Sequence, residues 1–426
     1  LILNPITKIA LECPTAANVF AYIQNHQLYS TDRAEAKTYA DLFRFLNSGF
    51  AVLVLEGASS ALVFGIQGYD KRSVSEPSGE DNVMGAKDGF IEVVRVNMSL
   101  LRRRMKTPQL KLELFVKGTK SQTDLCLCYM ADRVPKQLIR EIKARLDEME
   151  LESILSSGYL QPFLENRRSC LFDTVGTTQR PDVLCAKMLE GRVGLLIEGT
   201  PFALVIPKLF CESFQTMDDY CYRPAYATLV RWIKYAAFLV AILLPALYVA
   251  IALHHPELLN RTLLLILAEA EENAPISLTA EAIGVLLVYE IIREAGLRLP
   301  KAVGGAVSIV AGLIIGDAAV SSGLISTPML TVTAIAVIAG FVVPDLAQSI
   351  TLLRLAFLLT AGVLGLFGIS LLGAVVLFNL CAGESFGFPI TAPFAPLYRK
   401  GFRDTLTRVS FRKMQSGNFT VEEYYE

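Results

Sequence analysis

The sequence predicts a soluble α/β region followed by an α-helical membrane domain with several spans. Only 15 of the 81 charged residues fall within residues 235–398, whereas the rest of the chain is as charged as an ordinary soluble protein. The first half alternates between short apolar runs with the period of strands and amphipathic runs with the period of helices. We therefore expect soluble subdomains over residues 1–120 and 121–230, a membrane domain over 231–398 and a basic cytoplasmic tail over 399–426.

A repeated segment supports the division of the soluble region into two related subdomains. The apolar run that starts at Gly49 and turns at Gly57 recurs 142 residues later, starting at Gly191 and turning at Gly199. Seven of the sixteen aligned residues are identical. Each run has the pattern of a β-hairpin, and the alternative is that two unrelated hairpins resemble each other by chance.

The remaining soluble elements are predicted from periodicity. Helices are expected over residues 34–46, 88–105 and 135–149, and strands over residues 110–116 and 123–130. The second helix ends in Arg102, Arg103 and Arg104, where cations interact favourably with the helix dipole. A solvated helix end explains this cluster most simply. The alternative is a contact with an anionic lipid headgroup or an acidic surface of a partner subunit.

Composition argues against several function classes. Eight scattered cysteines and three histidines do not assemble a zinc site, and we find no Walker motif and no catalytic triad. The net charge of −1 gives no broad basic field for nucleic acid. We expect no enzyme, no cofactor and no metal, and we expect most cysteines to be buried, reduced thiols in a cytoplasmic region.

The membrane domain is expected to begin and end on the cytoplasmic side. Residues 235–253 form an uncharged run long enough to cross the hydrocarbon, and basic residues precede it. Residues 263–268 are too short to cross and predict an interfacial or re-entrant helix. Residues 350–382 are too long for one crossing, and glycines near Gly365 favour a tight hairpin. The count is six spans if this segment crosses twice, and five if the basic charges of the tail mislead about its cytoplasmic position.

The helix expected over residues 278–300 carries charges that are costly in a bilayer, about 2.5–3.5 kcal/mol each. Glu281 and Glu290 are candidates for an ion path, together with Asp317 beyond the helix, because rings of carboxylates select cations in channels. In the alternative interpretation the charges form local ion pairs: Glu290 with Arg293, and Glu294 with Arg298. A secondary transporter or a scaffold without conduction is also compatible with the pattern.

Several separated segments resemble the A subunits of GerA-type spore germination receptors. The similar segments are the run from Gly85 to Arg104, Arg180-Pro181-Asp182, Glu198-Gly-Thr-Pro201, Arg293 to Pro300, and Ser385-Phe-Gly-Phe-Pro389. The resemblance covers roughly Arg72 to Pro396. Ala86 and Asp88 depart from the family pattern, which usually has proline and glutamate there, and this loosens one turn.

The resemblance implies a non-enzymatic membrane protein of the spore inner membrane that transduces a nutrient germinant signal. It implies two partners, a transporter-like B subunit and a lipoprotein C subunit, and a homo-oligomer of A subunits in contact with membrane lipids. It also implies a nutrient-gated ion channel as the mechanism. A family paralogue linked to dipicolinic-acid release would have much the same sequence pattern.

Overall fold

A computed structural model describes residues 15–26, 33–65, 70–80, 82–165, 170–272, 275–300, 309, 312, 314, 316–398, 401–414 and 421. It confirms the predicted fold class, an α/β first half followed by apolar helices. Residues 1–14, which include Cys13, and most of the apolar run at residues 302–316 lie outside the described residues.

The first α/β unit is a three-stranded sheet between two helices. Its elements are α1 Ala16–His26, β1 Arg33–Ala36, α2 Tyr39–Asn47, β2 Ala51–Leu53 and β3 Ala61–Phe64, with strand order β1-β3-β2. The helix expected over residues 34–46 is wrong at its start, because β1 occupies residues 33–36. Thr38 sets the true beginning, since its Oγ1 accepts a hydrogen bond from the Asp41 N–H as an N-cap.

The second unit has a five-stranded sheet of order β4-β5-β7-β8-β6. Its elements are α3 Val94–Arg104, β4 Leu110–Lys117, β5 Thr123–Met130, α4 Lys136–Asp147, α5 Gln161–Leu164, β6 Gly176–Thr178, α6 Pro181–Leu189, β7 Val193–Ile197 and β8 Ala203–Ile206. Helix α4 covers one face of the sheet, and α3 and α6 cover the other. The predicted strands and helices are therefore confirmed, except that α3 begins at Val94. Asn97 holds the preceding segment extended by hydrogen bonding to both backbone groups of Ile91.

The sequence repeat is also a repeat of structure. The order β1-α2-β2-β3 in the first unit recurs as β6-α6-β7-β8 in the second, with the same antiparallel pairing. The register is the same at an offset of 142 residues, since Val52 pairs with Val63 and Gly194 pairs with Val205. The two hairpins are thus parts of a larger repeated strand–helix–hairpin unit.

The glycines of the repeat occupy equivalent conformations. Gly49 and Gly191 have φ angles of 77° and 85°, and Gly57 and Gly199 have φ angles of 81° and 87°. These positive values are costly for any residue with a Cβ atom. In the sequence, therefore, the first glycine of each pair marks a turn before the hairpin, and the second marks the turn within it.

The expected subdomain boundary at residue 120 falls inside a hairpin. Strands β4 and β5 pair along their full length, from Leu110 with Met130 to Lys117 with Thr123. Both strands therefore belong to the second sheet. We propose instead that the first unit ends soon after Phe64 and that the segment before α3 already belongs to the second unit.

The second half consists mainly of apolar helices. They are α7 Asp218–Cys221, α8 Pro224–His254, α9 Arg261–Glu272, α10 Leu278–Arg298, α11 Thr327–Phe341 and α12 Ala347–Ala382. Within the described part of the chain, α8 and the run Pro344–Ala382 are long and apolar enough to cross a membrane, and α11 is a shorter apolar helix. Helix α9 confirms the expected helix around residues 263–268.

Helix α12 is folded back on itself at Gly365, which has φ 60° and ψ −144°. Ser349 near its start donates to the Leu171 carbonyl at 2.7 Å, and Asn379 near its end accepts from the Leu171 N–H at 3.0 Å. In a straight helix these two residues would be about 45 Å apart. At the opposite end, His254 lies 3.0 Å from the Gly362 carbonyl. The predicted hairpin is therefore confirmed.

The C-terminal segment packs against the rest of the protein. It contains a small hairpin of β9 Glu384–Ser385 and β10 Phe388–Pro389, and the short helices α13 Phe402–Thr405 and α14 Phe411–Met414. Ser385 donates to the Thr174 carbonyl at 3.0 Å, and the Val421 N–H donates to the Glu190 carbonyl at 2.9 Å. The described part of the tail thus lies on the α/β region.

Candidate functional site

A group of buried charges connects three parts of the chain where α8 begins. Arg231 on α8 is 0% exposed and donates through Nε to Asp219 Oδ2 at 3.1 Å. Its Nη1 lies 3.0 Å from Asp404 Oδ1 in the tail, and Lys234 Nζ lies 3.2 Å from Asp219 Oδ1. We call Asp219, Tyr220, Arg231, Lys234, Asp404 and Arg408 the junction.

Tyr220 and Arg408 complete the junction. The Tyr220 hydroxyl donates to Asp404 Oδ2 at 2.8 Å, and the Arg408 guanidinium lies 5.2 Å from the Tyr220 ring centroid. Burial raises the pKa of Tyr220, and the Asp404 charge raises it further, so the hydroxyl stays protonated and able to donate. Removing one partner of a buried ion pair typically costs about 3–5 kcal/mol. The junction therefore holds the end of the α/β region, the first membrane helix and the tail in one arrangement.

A second set of buried charges lies beside the junction. Glu212 contacts both Arg192 and Lys187, the latter at 2.7 Å. Burial alone would raise the pKa of Glu212, but the charges of Arg192 and Lys187 outweigh it and lower this pKa to about 2. Glu212 is therefore ionised at neutral pH and links α6 to the segment that leads into α7.

The charges at the C-terminal end of α10 form the ion pairs considered in the sequence. Arg293 Nη2 lies 2.6 Å from Glu290 Oε2, and Thr351 on α12 donates to Glu290 Oε1 at 3.1 Å. Arg298 and Glu294 form an exposed pair at 2.5 Å. Glu290 is thus held between two helices, whereas the pair of Glu294 with Arg298 lies exposed on the surface of α10.

Glu281 at the other end of α10 has a different environment. It is 1% exposed, and its Oε1 accepts hydrogen bonds from the N–H and the hydroxyl of Ser326, each at 2.7 Å. Ser326 is the N-cap of α11, so the carboxylate lies at the positive end of that helix dipole. The structure does not bring Glu281, Glu290 and Asp317 together, and Asp317 is exposed.

Arg354 was not singled out in the sequence, although it lies inside an uncharged run. It is 4% exposed and its Nε donates to the Ala241 carbonyl on α8 at 2.9 Å. Ala241 precedes Pro245 by four residues, and a proline has no N–H to pair with that carbonyl. A released carbonyl in a membrane helix must find another donor. The combination of Pro245 with a lone arginine in a later span was the signal that could have revealed this contact.

The arginine cluster at the end of α3 is mostly bound within the chain. Arg103 lies 2.6 Å from Asp88 Oδ2, and Arg104 pairs with the other oxygen of Asp88. Arg102 is exposed and forms no ion pair with any residue that the structure describes. Asp88 therefore uses two of the three guanidinium groups, and Arg102 is the one left for an outside partner.

A cavity of about 830 Å³ lies between α10, α11 and a few described residues before α11, among them Gly316, Ala319 and Leu324. Most of its lining is apolar, including Val285, Val288 and Val337. Glu281 borders it at one end and Arg293 at the other. Among the described residues no group of three or more histidine, cysteine, aspartate or glutamate side chains could hold a metal ion.

Comparison with known proteins gives a family match over almost the whole chain. The family model described as Bacillus/Clostridium GerA spore germination protein matches residues 1–418. Spore germination protein KA of Bacillus subtilis (strain 168) is 38% identical over 376 residues, which are 88% of this chain and 69% of that protein.

A second curated relative and a solved structure also match the chain. The uncharacterized membrane protein YfkQ of Bacillus subtilis (strain 168) is 37% identical over 86% of this chain and 72% of its own. The crystal structure of the N-terminal domain of the A subunit of the Bacillus megaterium spore germinant receptor GerK3 is 38% identical. It covers 29% of this chain and 97% of its own, with a TM-score of 0.24.

Proposed function

Because this chain belongs to the GerA family of spore germination proteins, we propose that it is a receptor A subunit that converts nutrient binding into ion movement. In this proposal several copies form a cation-conducting oligomer in the spore inner membrane. A transporter-like B subunit and a lipoprotein C subunit are its partners, and the α/β region faces the cytoplasm. The basic residues that precede α8 support this orientation.

The junction is the observation that carries the proposal. A receptor subunit must transmit a change at its soluble surface to its membrane helices, and allosteric coupling needs a physical connection between the two. Asp219 precedes the membrane helices, Arg231 lies on α8, and Asp404 belongs to the tail. A movement of the α/β region therefore acts on α8 and on the tail at once.

For the ion path we retain Glu281, Glu290 and Asp317 as candidates. Asp317 is exposed and can face a pore between copies without rearrangement. Glu281 and Glu290 are held by Ser326 and by Arg293 with Thr351. A role for either of these two in conduction requires a second conformation that releases the carboxylate.

Asp404→Asn tests the junction in spores that carry the receptor. The substitution keeps the size of the side chain and weakens its contact with Arg231, so we expect slower cation release after nutrient addition. A lost coupling energy of about 1–3 kcal/mol lowers the equilibrium constant for nutrient-induced activation by about 5–150-fold, and release slows because fewer receptors are active. Glu294→Gln changes a surface carboxylate on α10 and should leave release unchanged.

Measuring the abundance of the subunit in the membrane distinguishes two causes of slow release, a loss of coupling and a loss of folded protein. Tyr220→Phe removes one hydrogen bond to Asp404 and should give a smaller slowing at normal abundance. Normal release kinetics in both Asp404→Asn and Tyr220→Phe, with normal abundance, would contradict a coupling role.

A secondary transporter, a non-conducting scaffold and the paralogue linked to dipicolinic-acid release remain the alternative functions.

A further inference from the structure

Three buried polar atoms without a hydrogen-bond partner lie near one another between α8, α9 and α10. They are Tyr248 Oη, Glu271 Oε1 and Glu281 Oε2, and none of them has a partner among the residues that the structure describes. Tyr248 is close enough to interact electrostatically with both carboxylates, and Glu271 is close enough to interact with Glu281. Tyr248 also packs against the apolar cluster that contains Leu278 and Ala282 at the start of α10. We call these three residues the carboxylate site.

The charge of this site is not balanced by a basic side chain. No lysine, arginine or histidine in the described part of the chain forms an ion pair with Glu271 or Glu281. Glu281 is 1% exposed, and only its Oε1 is satisfied, by Ser326. Burial raises the pKa of Glu271, and the charge of Glu281 raises it further. An unsatisfied buried polar group is unfavourable by about 1–3 kcal/mol, and a charged one by more.

We propose that the carboxylate site binds a monovalent alkali cation, Na⁺ or K⁺. One such ion contacts the three free oxygens and offsets one carboxylate charge, while the dipole of α11 stabilises the other through Ser326. Any such cation needs water to complete its coordination shell, and Ca²⁺, which takes six to eight oxygen ligands, is included in the test below as a competing ion. Transition metals favour histidine and cysteine ligands, and the described residues offer no such group.

The bound cation has a structural consequence and a route of entry. It joins α8, α9 and α10, and Glu281 extends the connection to α11 through Ser326. Glu281 also borders the cavity between α10 and α11, which gives the ion an approach from that side. The site lies within one copy of the chain, so its occupancy does not depend on whether an oligomer conducts.

Thermal unfolding of the full chain in detergent tests the proposal. The melting temperature is measured at pH 7.5 in NaCl, KCl and choline chloride at constant ionic strength. A ligand that binds only the folded state raises stability with the logarithm of its concentration. We expect this rise with Na⁺ or K⁺ and none with choline, and we expect Glu271→Gln and Glu281→Gln to abolish it.

Matched variants keep the test decisive. Tyr248→Phe removes a neutral ligand and should weaken the apparent affinity for the cation severalfold, and it serves as the readout if Glu281→Gln fails to fold. Glu294→Gln, an exposed carboxylate on the same helix, should retain the full cation effect. Equal stabilisation by choline, stabilisation by Ca²⁺ alone, or a cation effect that persists in both glutamate variants would overturn the proposal. The proposal would also be overturned if the melting temperature rose at acidic pH and did not depend on Na⁺ or K⁺. In that case a proton shared by the two carboxyl groups, and not a metal cation, would occupy the site.

Discussion

Arg354 shows how a single residue solves a problem created elsewhere in the chain. Pro245 leaves the Ala241 carbonyl of α8 without its helical donor, and Arg354 supplies one from α12 at 2.9 Å. A buried arginine in a membrane helix is unfavourable unless it has such a partner. Its place in the sequence, inside an otherwise uncharged run, is therefore explained by the proline on another helix.

This explanation predicts energetic coupling between the two residues. When Pro245 is present, Arg354→Met leaves the Ala241 carbonyl without a hydrogen-bond donor. In a Pro245→Ala background, the backbone N–H at position 245 donates to that carbonyl instead. We expect the cost of Arg354→Met in unfolding free energy to be lower by at least about 1 kcal/mol in that background. Thermal unfolding of the four chains in detergent measures it, and additive effects would contradict the pairing.

The charges of α10 differ in how far the sequence could predict their roles. The pairs of Glu290 with Arg293 and of Glu294 with Arg298 follow from spacings of three and four residues on a helix. The contact of Glu281 with Ser326 joins residues 45 positions apart, and helical periodicity carries no information about it. The partnership of Arg231 with Asp404 spans 173 positions and was hidden for the same reason.

At the scale of elements, the repeat was visible where glycines marked it. Gly49, Gly57 and their counterparts require positive φ angles, so the two turns of each hairpin were readable from the sequence. Strand β1 was missed because its four residues, Arg33 to Ala36, include two alanines and a glutamate, which favour helices when isolated. Pairing with β3 decides the structure there, as neighbouring strands often override local preference.

The hairpin in α12 leads to a distance that can be measured. Spin labels at Ser349→Cys and Asn379→Cys, with the exposed Cys221 and Cys381 replaced by serine, should lie close together, because both residues contact Leu171. We expect a separation below about 20 Å by pulsed electron paramagnetic resonance, against about 45 Å for one straight helix. As a control, labels at Ser349→Cys and Leu364→Cys on the same arm should report about 22 Å. A long distance for the first pair would contradict the hairpin.

At the scale of the whole molecule, the α/β region, the membrane helices and the tail meet at the junction. The sequence predicted a charged α/β half followed by an apolar helical half, and the structure confirms this order of elements. It gave no sign that the tail returns to the α/β region, because its basic residues equally suit a solvated segment. Arg408 stacks on Tyr220, and Asp404 contacts Arg231, so the tail is part of the connection between the two halves.

The proposed function depends on this connection and on the assembly of several copies. If the α/β region moves when a partner subunit binds nutrient, the junction transmits that movement to α8, which packs along α11 and α12. Rearrangement of packed helices in an oligomer can open or close a path between copies. A secondary transporter would instead carry the nutrient through one copy of the chain. Any cation flux through it would then be coupled to nutrient transport and would stop when that transport stops.

The most direct test is cation flux through liposomes that contain the chain with its receptor partners. Nutrient is added outside, and the movement of K⁺ and of labelled nutrient is measured in parallel. From the proposed channel function we expect K⁺ flux that begins on nutrient addition, exceeds nutrient uptake by orders of magnitude and is slowed by Asp404→Asn. Nutrient uptake without K⁺ flux, or no response of the assembled receptor in either measurement, would contradict it.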